Sequence, residues 1–298
     1  MGPVYYRAWI VLVYLLALSG FLLPGKKRWT VPVCCGVSTL CLAILLSSWS
    51  FWRGPGSVTA LDVGQGESIL IRSGGFLTLV DCGGSGYENA GDTVAGYLGD
   101  FGVRRLDLLV VTHFHNDHAN GAARLLERME VGLLALPDVD RESPIRQELL
   151  SAAECAGTEV RFIRSDTALE LDGERTVRLF APLGAGETNE EGLSVLVSQG
   201  EFDTLITGDM GMDVERALLA RMDLPRVEVL AVGHHGSRYS TGRELLEQIR
   251  PEIALISVGR HNGYGHPDPG TVERLLAAGA EVYRTDLHGT VTVRRSKA

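Results

Sequence analysis

Negative charge is missing from the first 52 of the 298 residues, which hold four basic side chains, Arg7, Lys26, Lys27 and Arg28, and no aspartate or glutamate. In its place stand two apolar runs, at about residues 4–23 and 31–52, each near the ~20 residues that span a bilayer core. A second uncharged run after "PGKKRW" argues against a cleaved signal peptide, and soluble cores rarely need two such helices in tandem. Residues 1–52 are therefore expected to form a transmembrane helical hairpin in a lipid bilayer. Tyr5, Tyr6 and Trp9 at one end, and Trp49, Phe51 and Trp52 at the other, suit interfacial anchors. Lys26, Lys27 and Arg28 place the connection in the cytoplasm, against the opposing pull of Arg7. The expectation is a multi-pass cell-membrane protein with its remaining chain extracytoplasmic.

Cysteine is scarce too. Of five, Cys34, Cys35 and Cys41 lie in the second apolar run, and Cys82 and Cys155 show no metal-ligand spacing. That leaves no thiolate metal site and no disulfide framework; both read as small apolar fillers, with a single disulfide between them left open. A basic surplus is also lacking. Residues 53–298 carry 24 basic against all 37 acidic side chains, a formal −13, and such a surface does not attract nucleic acid by itself. Bound divalent cations and a local arginine cluster can reverse the sign inside a cleft. There is no low-complexity tract and no residue-level repeat.

What is present is a long alternation of strand and helix patterns. A Gly/Pro linker, "RGPGS" at 53–57, leads into a domain at 58–298. Strands are expected at 58–63, 68–72 and 76–80, then a helix capped by Asp92, a strand at 106–111, and a helix through "GAARLLERM". A strand at 133–136, a helix with Ser143 at its N-cap and Pro144 at N1, and a strand at 159–163 follow. The second half repeats the rhythm, with strands at 176–181, 194–198, 204–207, 228–232, 253–258, 281–284 and 290–294, and helices from Asp213, after Thr241 and from Gly270. Two sheets packed face to face with helices outside bury all these half-apolar strands, a four-layer αββα arrangement behind the hairpin.

Three of the eight histidines fall within six residues of "VVTHFHNDHANG". If the strand ends near Thr112, His113 and His115 leave extended backbone on the same side. Asp117 and His118, adjacent at a helix start, point elsewhere, which suits a second metal beside the first. Imidazole and carboxylate are ligands that zinc, manganese or iron accept, and two ions about 3.5–4 Å apart can activate a water between them.

The pattern H-x-H-x-D-H resembles the metal motif of the metallo-β-lactamase fold. "LDVGQGESILIRSGG", "TLVDCGG", "VVTHFHNDHANG", "LITGDM", "VGHHGS" and "HNGYGHP" occur in the order and rough spacing seen in the extracytoplasmic C-terminal domain of ComEC-type competence proteins. The preceding spans look like the last membrane segments of such a protein, without its long multi-helix channel region. The resemblance implies that His113, His115, Asp117 and His118 are ligands, that Asp209 bridges two ions, and that Asp81 supports the histidine loop from behind. Asp209 otherwise reads as a helix cap, and Asp81 as a turn residue. In "AVGHHGS" only one histidine continues the strand's inward face; His235 is favoured as the ligand, with His234 and Ser237 facing substrate, the order of the two histidines staying open.

No histidine lies between His118 and His234, so the ligand that many superfamily members contribute from mid-chain is absent. An oxygen such as that of Asn189 or Ser194 is a candidate replacement, and an under-coordinated site makes manganese as credible as zinc. In "GRHNGYGHPDP", Arg260, His261, Asn262, Tyr264 and His266 share one Gly-rich loop; Asn262 is expected to bind substrate and His266 to act as general acid. Asp62, Gln65 and Gly66 line the same cleft or form a plain turn. Arg238, Arg243 and Arg260 are expected to make a basic strip. The function implied is metal-dependent hydrolysis with two divalent ions, Zn or Mn, and with Asp117, Asp209 and His266 as catalytic residues. The substrate expected is single-stranded DNA, the alternatives being a small phosphoester of the cell envelope and a metal-loaded module without turnover. No protein partner is legible.

Overall fold

The computed structural model describes residues 4–22, 28–172, 175–183 and 192–295. Among them, the residues of Met1–Gly54 and Ala95–Arg104 group into one compact unit, and those of Pro55–Val94 and Arg105–Ala298 into a second.

In the first unit two helices, α1 (Val4–Leu22) and α2 (Thr30–Arg53), pack side by side. The Trp9 indole donates to the Gly36 carbonyl at 2.9 Å, and the Phe21 ring meets that of Trp29 edge-on at 5.1 Å. Gly20 permits this contact, since a Cβ there would fall 2.6 Å from the Trp29 ring. Apolar side chains turn outward: Val11, Leu18 and Leu22 on α1, and Val37, Leu42 and Leu45 on α2, are exposed. With 19 and 24 residues and mean hydropathies of 1.6 and 2.0, both helices are long and apolar enough to cross a membrane. An outward apolar face of that length suits lipid as its solvent. Leu23, Lys26 and Lys27 lie outside the described residues.

The second unit holds two seven-stranded sheets. The first is laid down in sequence order by β1 (Ser57–Ala60), β2 (Ile69–Ser73), β3 (Phe76–Val80), β4 (Arg105–Val110), β5 (Glu130–Pro137) and β6 (Glu159–Ile163). The second follows with β7 (Thr167–Asp172), β8 (Arg175–Phe180), β9 (Ser194–Gln199), β10 (Asp203–Ile206), β11 (Val229–Ala231), β12 (Ile253–Ile256) and β13 (Glu281–Arg284). The last strand, β14 (Val291–Arg294), returns to pair antiparallel with β1, Val58 opposite Val293. Each sheet begins with antiparallel neighbours and ends with three parallel pairings, β3 through β6 and β10 through β13.

Parallel neighbours require crossovers. These are supplied by α3 (Ala90–Gly99), the short α4 (Asn116–Ala119) with α5 (Ala122–Arg128), α6 (Pro144–Ala156), α7 (Met212–Arg221), α8 (Arg243–Ile249) and α9 (Pro269–Ala277); a one-turn α10 (Thr285–His288) precedes β14. The period of two in the strands decides the layers. On β9, Val195 and Val197 join Ile69, Ile71, Leu108 and Val110 of the first sheet in the core between the sheets. Leu196 between them faces the helices, with Leu218 of α7, Leu246 of α8 and Leu275 of α9. Burial on both faces explains why these strands read as nearly continuous apolar runs.

Ser143 caps α6 as expected, accepting from the Arg146 N–H with Pro144 in the first turn. Asp92 is not a cap. The Asn89 side chain accepts from the Gly91 N–H at 2.8 Å, while Asp92 lies in the first turn of α3 and binds Arg124 and Arg128. Strand β7 had no expectation: "TALELD" is a half-exposed edge strand with a register shift between Glu170 and Asp172, too weakly patterned to stand out.

Candidate metal centre

Every cluster residue follows the C-terminal end of a parallel strand, where α/β sheets generally bind ligands. Asp81 comes directly after β3, and His113, Asp209 and His234 each stand three residues past β4, β10 and β11. The two sheets thus bring residues far apart in sequence to one edge of the second unit.

Asp209 is at the centre. Its Oδ1 is 2.9 Å from His118 Nε2 and 4.0 Å from His235 Nε2; its Oδ2 is 3.5 Å from His234 Nε2 and 3.9 Å from His113 Nε2. His235 Nε2 also lies 3.3 Å from Asp117 Oδ2. Of three sets of ligand atoms, each within 4.8 Å of one another, one is Glu67, Asp81 and His118; the other two are Asp117, His118, Asp209 and His235, and His113, His115 and Asp209. Asp209 belongs to both.

The imidazole tautomers follow from what lies behind each ring. His235 Nδ1 is 2.9 Å from the Ser257 carbonyl and His118 Nδ1 is 2.7 Å from Asp81 Oδ2, so both nitrogens must donate. The Thr112 hydroxyl donates to Asp81 Oδ2 at 2.7 Å, leaving its oxygen to accept from His113 Nδ1 at 3.1 Å. Asp81 also accepts from the Thr112 N–H at 2.7 Å. One buried carboxylate therefore orients two histidines, one directly and one through a hydroxyl, and all three rings turn an Nε2 lone pair towards Asp209.

These atoms are left without partners. The Nε2 atoms of His113, His118 and His235, and Asp209 Oδ1, are buried and make no hydrogen bond, an arrangement that costs about 1–3 kcal/mol per group. Converging lone pairs around a carboxylate are what divalent cations occupy, and imidazole with carboxylate suits zinc, manganese or iron. The residues present fit the ions. The same geometry favours a proton on His118. Burial disfavours the His118 imidazolium, yet Asp209 and Asp81 overcome this and hold its pKa well above the ordinary value. Burial also opposes ionisation of Asp209, and the His118 contact keeps that carboxyl well below its usual range. His113, desolvated and facing His118, is held neutral.

His234 and His235 part company for a reason other than strand alternation. β11 has ended, and both residues adopt left-handed backbone, φ 50° and 54°, followed by Gly236 at 82°. This tight turn, costly for non-glycine residues, sends His235 into the buried cluster. His234 is left 31% exposed at its side chain on a cavity of about 550 Å³. Gln65, Phe114, Asn262, Tyr264 and His266 also line that cavity. The His266 ring is 5.7 Å from that of His234, and burial with the nearby histidines lowers its pKa.

Several expected contacts are not made. Ser237 is buried away from the cavity, its hydroxyl accepting from the Tyr239 N–H. Asn262 lines the cavity, but its amide is engaged within its own loop. The Ser194 hydroxyl faces the Met210 sulfur at 3.8 Å, and Asn189 lies outside the described residues. The basic strip does not form at the cavity: Arg238 pairs with Asp268, Arg260 donates to the Asp286 carbonyl, and Arg243 lies in a groove between α8 and α9. Of the "GQG" turn only Gln65 reaches the cavity. Asp62 accepts from Gly64, while Gly66 is pressed against the Gly83 and Asp117 carbonyls, 2.3 and 2.7 Å from where a Cβ would be.

Glu67 had no expectation. It is buried beside Asp81 and His118, and burial pushes its carboxyl up to about 7. The only signal in the sequence is an acid directly after "GQG", in a stretch already singled out.

Comparison with known proteins agrees with this geometry. The chain is 33% identical over 288 residues to Recombination protein 2 of Haemophilus influenzae, covering 94% of this chain and 34% of that one. It is 30% identical over 243 residues to Competence protein ComA of Neisseria gonorrhoeae, covering 79% and 32%. It thus spans about a third of the length of these relatives. Among solved structures, CmlA, a diiron beta-hydroxylase from Streptomyces venezuelae, superposes with a TM-score of 0.56 at 19% identity, over 82% of this chain and 55% of that one. The family model for the metallo-beta-lactamase superfamily matches residues 61–260, two-thirds of the sequence, and the chain belongs to that superfamily.

Proposed function

We propose that the protein is a metal-dependent phosphodiesterase that cleaves a DNA strand at a membrane. The observation that carries the reading is the set of four buried, unpartnered ligand atoms on His113, His118, His235 and Asp209, two of whose residues, Asp209 and His235, line an open cavity. His113, His115, Asp117, His118, Asp209 and His235 would hold two divalent ions, and such ions lower the pKa of a bound water and withdraw charge from a phosphoryl oxygen.

The chain's own groups do the positioning. Asp81 and Thr112 fix two imidazoles in the tautomer that presents Nε2, so no reorganisation is needed at the moment of reaction. Asp209, held ionised, orients the attacking water towards the cavity. As the water oxygen bonds to phosphorus and the bond to the leaving oxygen breaks, His234 and His266 face the developing charge. The water gives up a proton to solvent, and His266 is placed to supply one to the leaving oxygen as general acid. The competence and recombination relatives support a polynucleotide substrate. The two apolar helices support a membrane hairpin, and the basic residues Lys26, Lys27 and Arg28 between them are the support for an extracytoplasmic hydrolase unit.

A second reading, a phosphodiesterase for small envelope esters, is favoured by the absence of arginine or lysine among the described cavity-lining residues. The full chain in detergent is to be assayed with Mn²⁺ or Zn²⁺ against labelled single-stranded DNA and bis(p-nitrophenyl) phosphate, beside Asp117→Ala and His118→Ala. Cleavage of both substrates, lost in the variants, supports the nuclease. Hydrolysis of the small ester alone favours the second reading. Bound ions with neither substrate turned over leave a module without catalysis.

A further inference from the structure

Tyr264 is 72% exposed although it lines the cavity. The loop that carries it is braced from within. Asn262 Nδ2 donates to the carbonyls of Gly259 and His266 at 2.9 and 2.8 Å, and Asn262 Oδ1 accepts from the His266 N–H at 3.0 Å. Tyr264 stands at the tip of this closed arc between Gly263 and Gly265, where even an added Cβ would meet nothing within 4 Å. Its ring lies nearly parallel to that of His266, at 11° and 6.0 Å between centroids, and most of the residue is open to solvent.

From Tyr264 a row of rings leads inward. His266 is 5.7 Å from His234, whose Nε2 is 3.5 Å from Asp209 Oδ2. Gln65 lines the same cavity: its Oε1 accepts from the Gly259 N–H at 3.1 Å, and its buried Nε2 has no partner. A planar group on Tyr264 and an acceptor near Gln65 would meet two features that the fold leaves unsatisfied. With no lysine or arginine lining the cavity among the described residues, uncharged contacts must supply affinity that a basic groove supplies elsewhere.

We propose that the exposed ring of Tyr264 is a base-stacking subsite, on which a nucleobase of an unpaired strand lies one or two nucleotides from the phosphodiester at Asp209. The proposal rests on the nuclease reading and adds what that reading lacks, a contact to the base. A paired base already has both faces stacked and must be flipped out to reach the ring, so the subsite selects unpaired strands.

The test pairs substrate with variant. The full chain in detergent with Mn²⁺ is given a twelve-nucleotide thymidine strand or a strand of equal length made of abasic residues, each with wild type, Tyr264→Ala and Tyr264→Trp. Stacking on one aromatic is worth about 5- to 150-fold per base, so wild type favours the thymidine strand by at least about fivefold in kcat/KM. Tyr264→Ala brings the ratio within about twofold of unity; Tyr264→Trp preserves it. Equal losses on both strands in Tyr264→Ala, or an unchanged ratio, overturn the subsite. Binding of the same strands by fluorescence anisotropy separates the two readings. A base preference in Kd that depends on Tyr264, without cleavage, sinks the nuclease reading and leaves the subsite standing. No base preference in binding or cleavage sinks the subsite.

Discussion

Asp81→Asn tests the orientation of the histidines with little change of shape. Asp81 is buried with φ 60°, a conformation that asparagine tolerates well, so the backbone has no reason to move. The carboxylate accepts three hydrogen bonds of 2.7 Å, from the Thr112 N–H, the Thr112 hydroxyl and His118 Nδ1. Asparagine offers one acceptor oxygen. If that oxygen keeps the Thr112 N–H, the NH₂ occupies the former Oδ2 position and faces His118 Nδ1, which must then become the acceptor. The ring proton moves to Nε2, and the lone pair aimed at Asp209 is lost. Thr112, receiving a donor in place of an acceptor, can no longer hold its hydroxyl orientation, so His113 is released as well. Loss of such a supporting group typically weakens metal binding 10- to 100-fold, and two affected ligands place this variant near about 100-fold, or ~2.7 kcal/mol. Chelator competition measures the affinity, and ¹⁵N spectra of the histidines report the tautomers. Affinity within about threefold of wild type, with His118 still protonated at Nδ1, would refute the reasoning.

The remaining predictions draw on other parts of the structure. His235→Ala removes a buried member of the Asp117, His118 and Asp209 set and is expected to lower bound metal per chain by elemental analysis, whereas His234→Ala keeps the metal and loses turnover. Chelation of one ion present at about 100 times its Kd removes ~2.7 kcal/mol, which for a domain of this size lowers Tm by about 5–11 °C in a thermal scan. Glu215, buried and accepting from the Thr241 and Gly242 N–H groups, is pushed by burial from 4.5 to about 7. A carboxyl that protonates more readily folded than unfolded stabilises the fold at low pH, and that stability is lost as pH rises from 4.5 to 7, by about 3 kcal/mol. Urea titrations across this window should show the slope in wild type and a flatter one in Glu215→Gln.

What the sequence revealed of the site was its local part. His113, His115, Asp117 and His118 occupy a strand end, a loop and the start of a one-turn helix, so backbone geometry alone largely decides where they point. The αββα layering was legible for a similar reason: strands buried on both faces, with the parallel ones joined by amphipathic helices, leave few ways to cover their surfaces. Side-chain direction across a turn was not legible. The left-handed pair His234–His235 separates two adjacent rings by backbone that only the closed structure imposes, and the same blindness turned Ser237 inward and three arginines away from the cavity.

The supports behind the ligands were hidden by distance in sequence. Thr112 has no polar pattern of its own; it matters because parallel pairing of β3 with β4 sets Asp81 against it. Glu67 gains its place only when the "GQG" turn closes over the short helix, its N–H donating to the Asp117 carbonyl at 2.8 Å. A motif therefore identifies the atoms that face the ions, while strand register determines which proton each ring carries. Because register is shared by whole sheets, a substitution that slips β3 against β4 should disable the metal centre as surely as loss of a ligand, with every motif residue still in place.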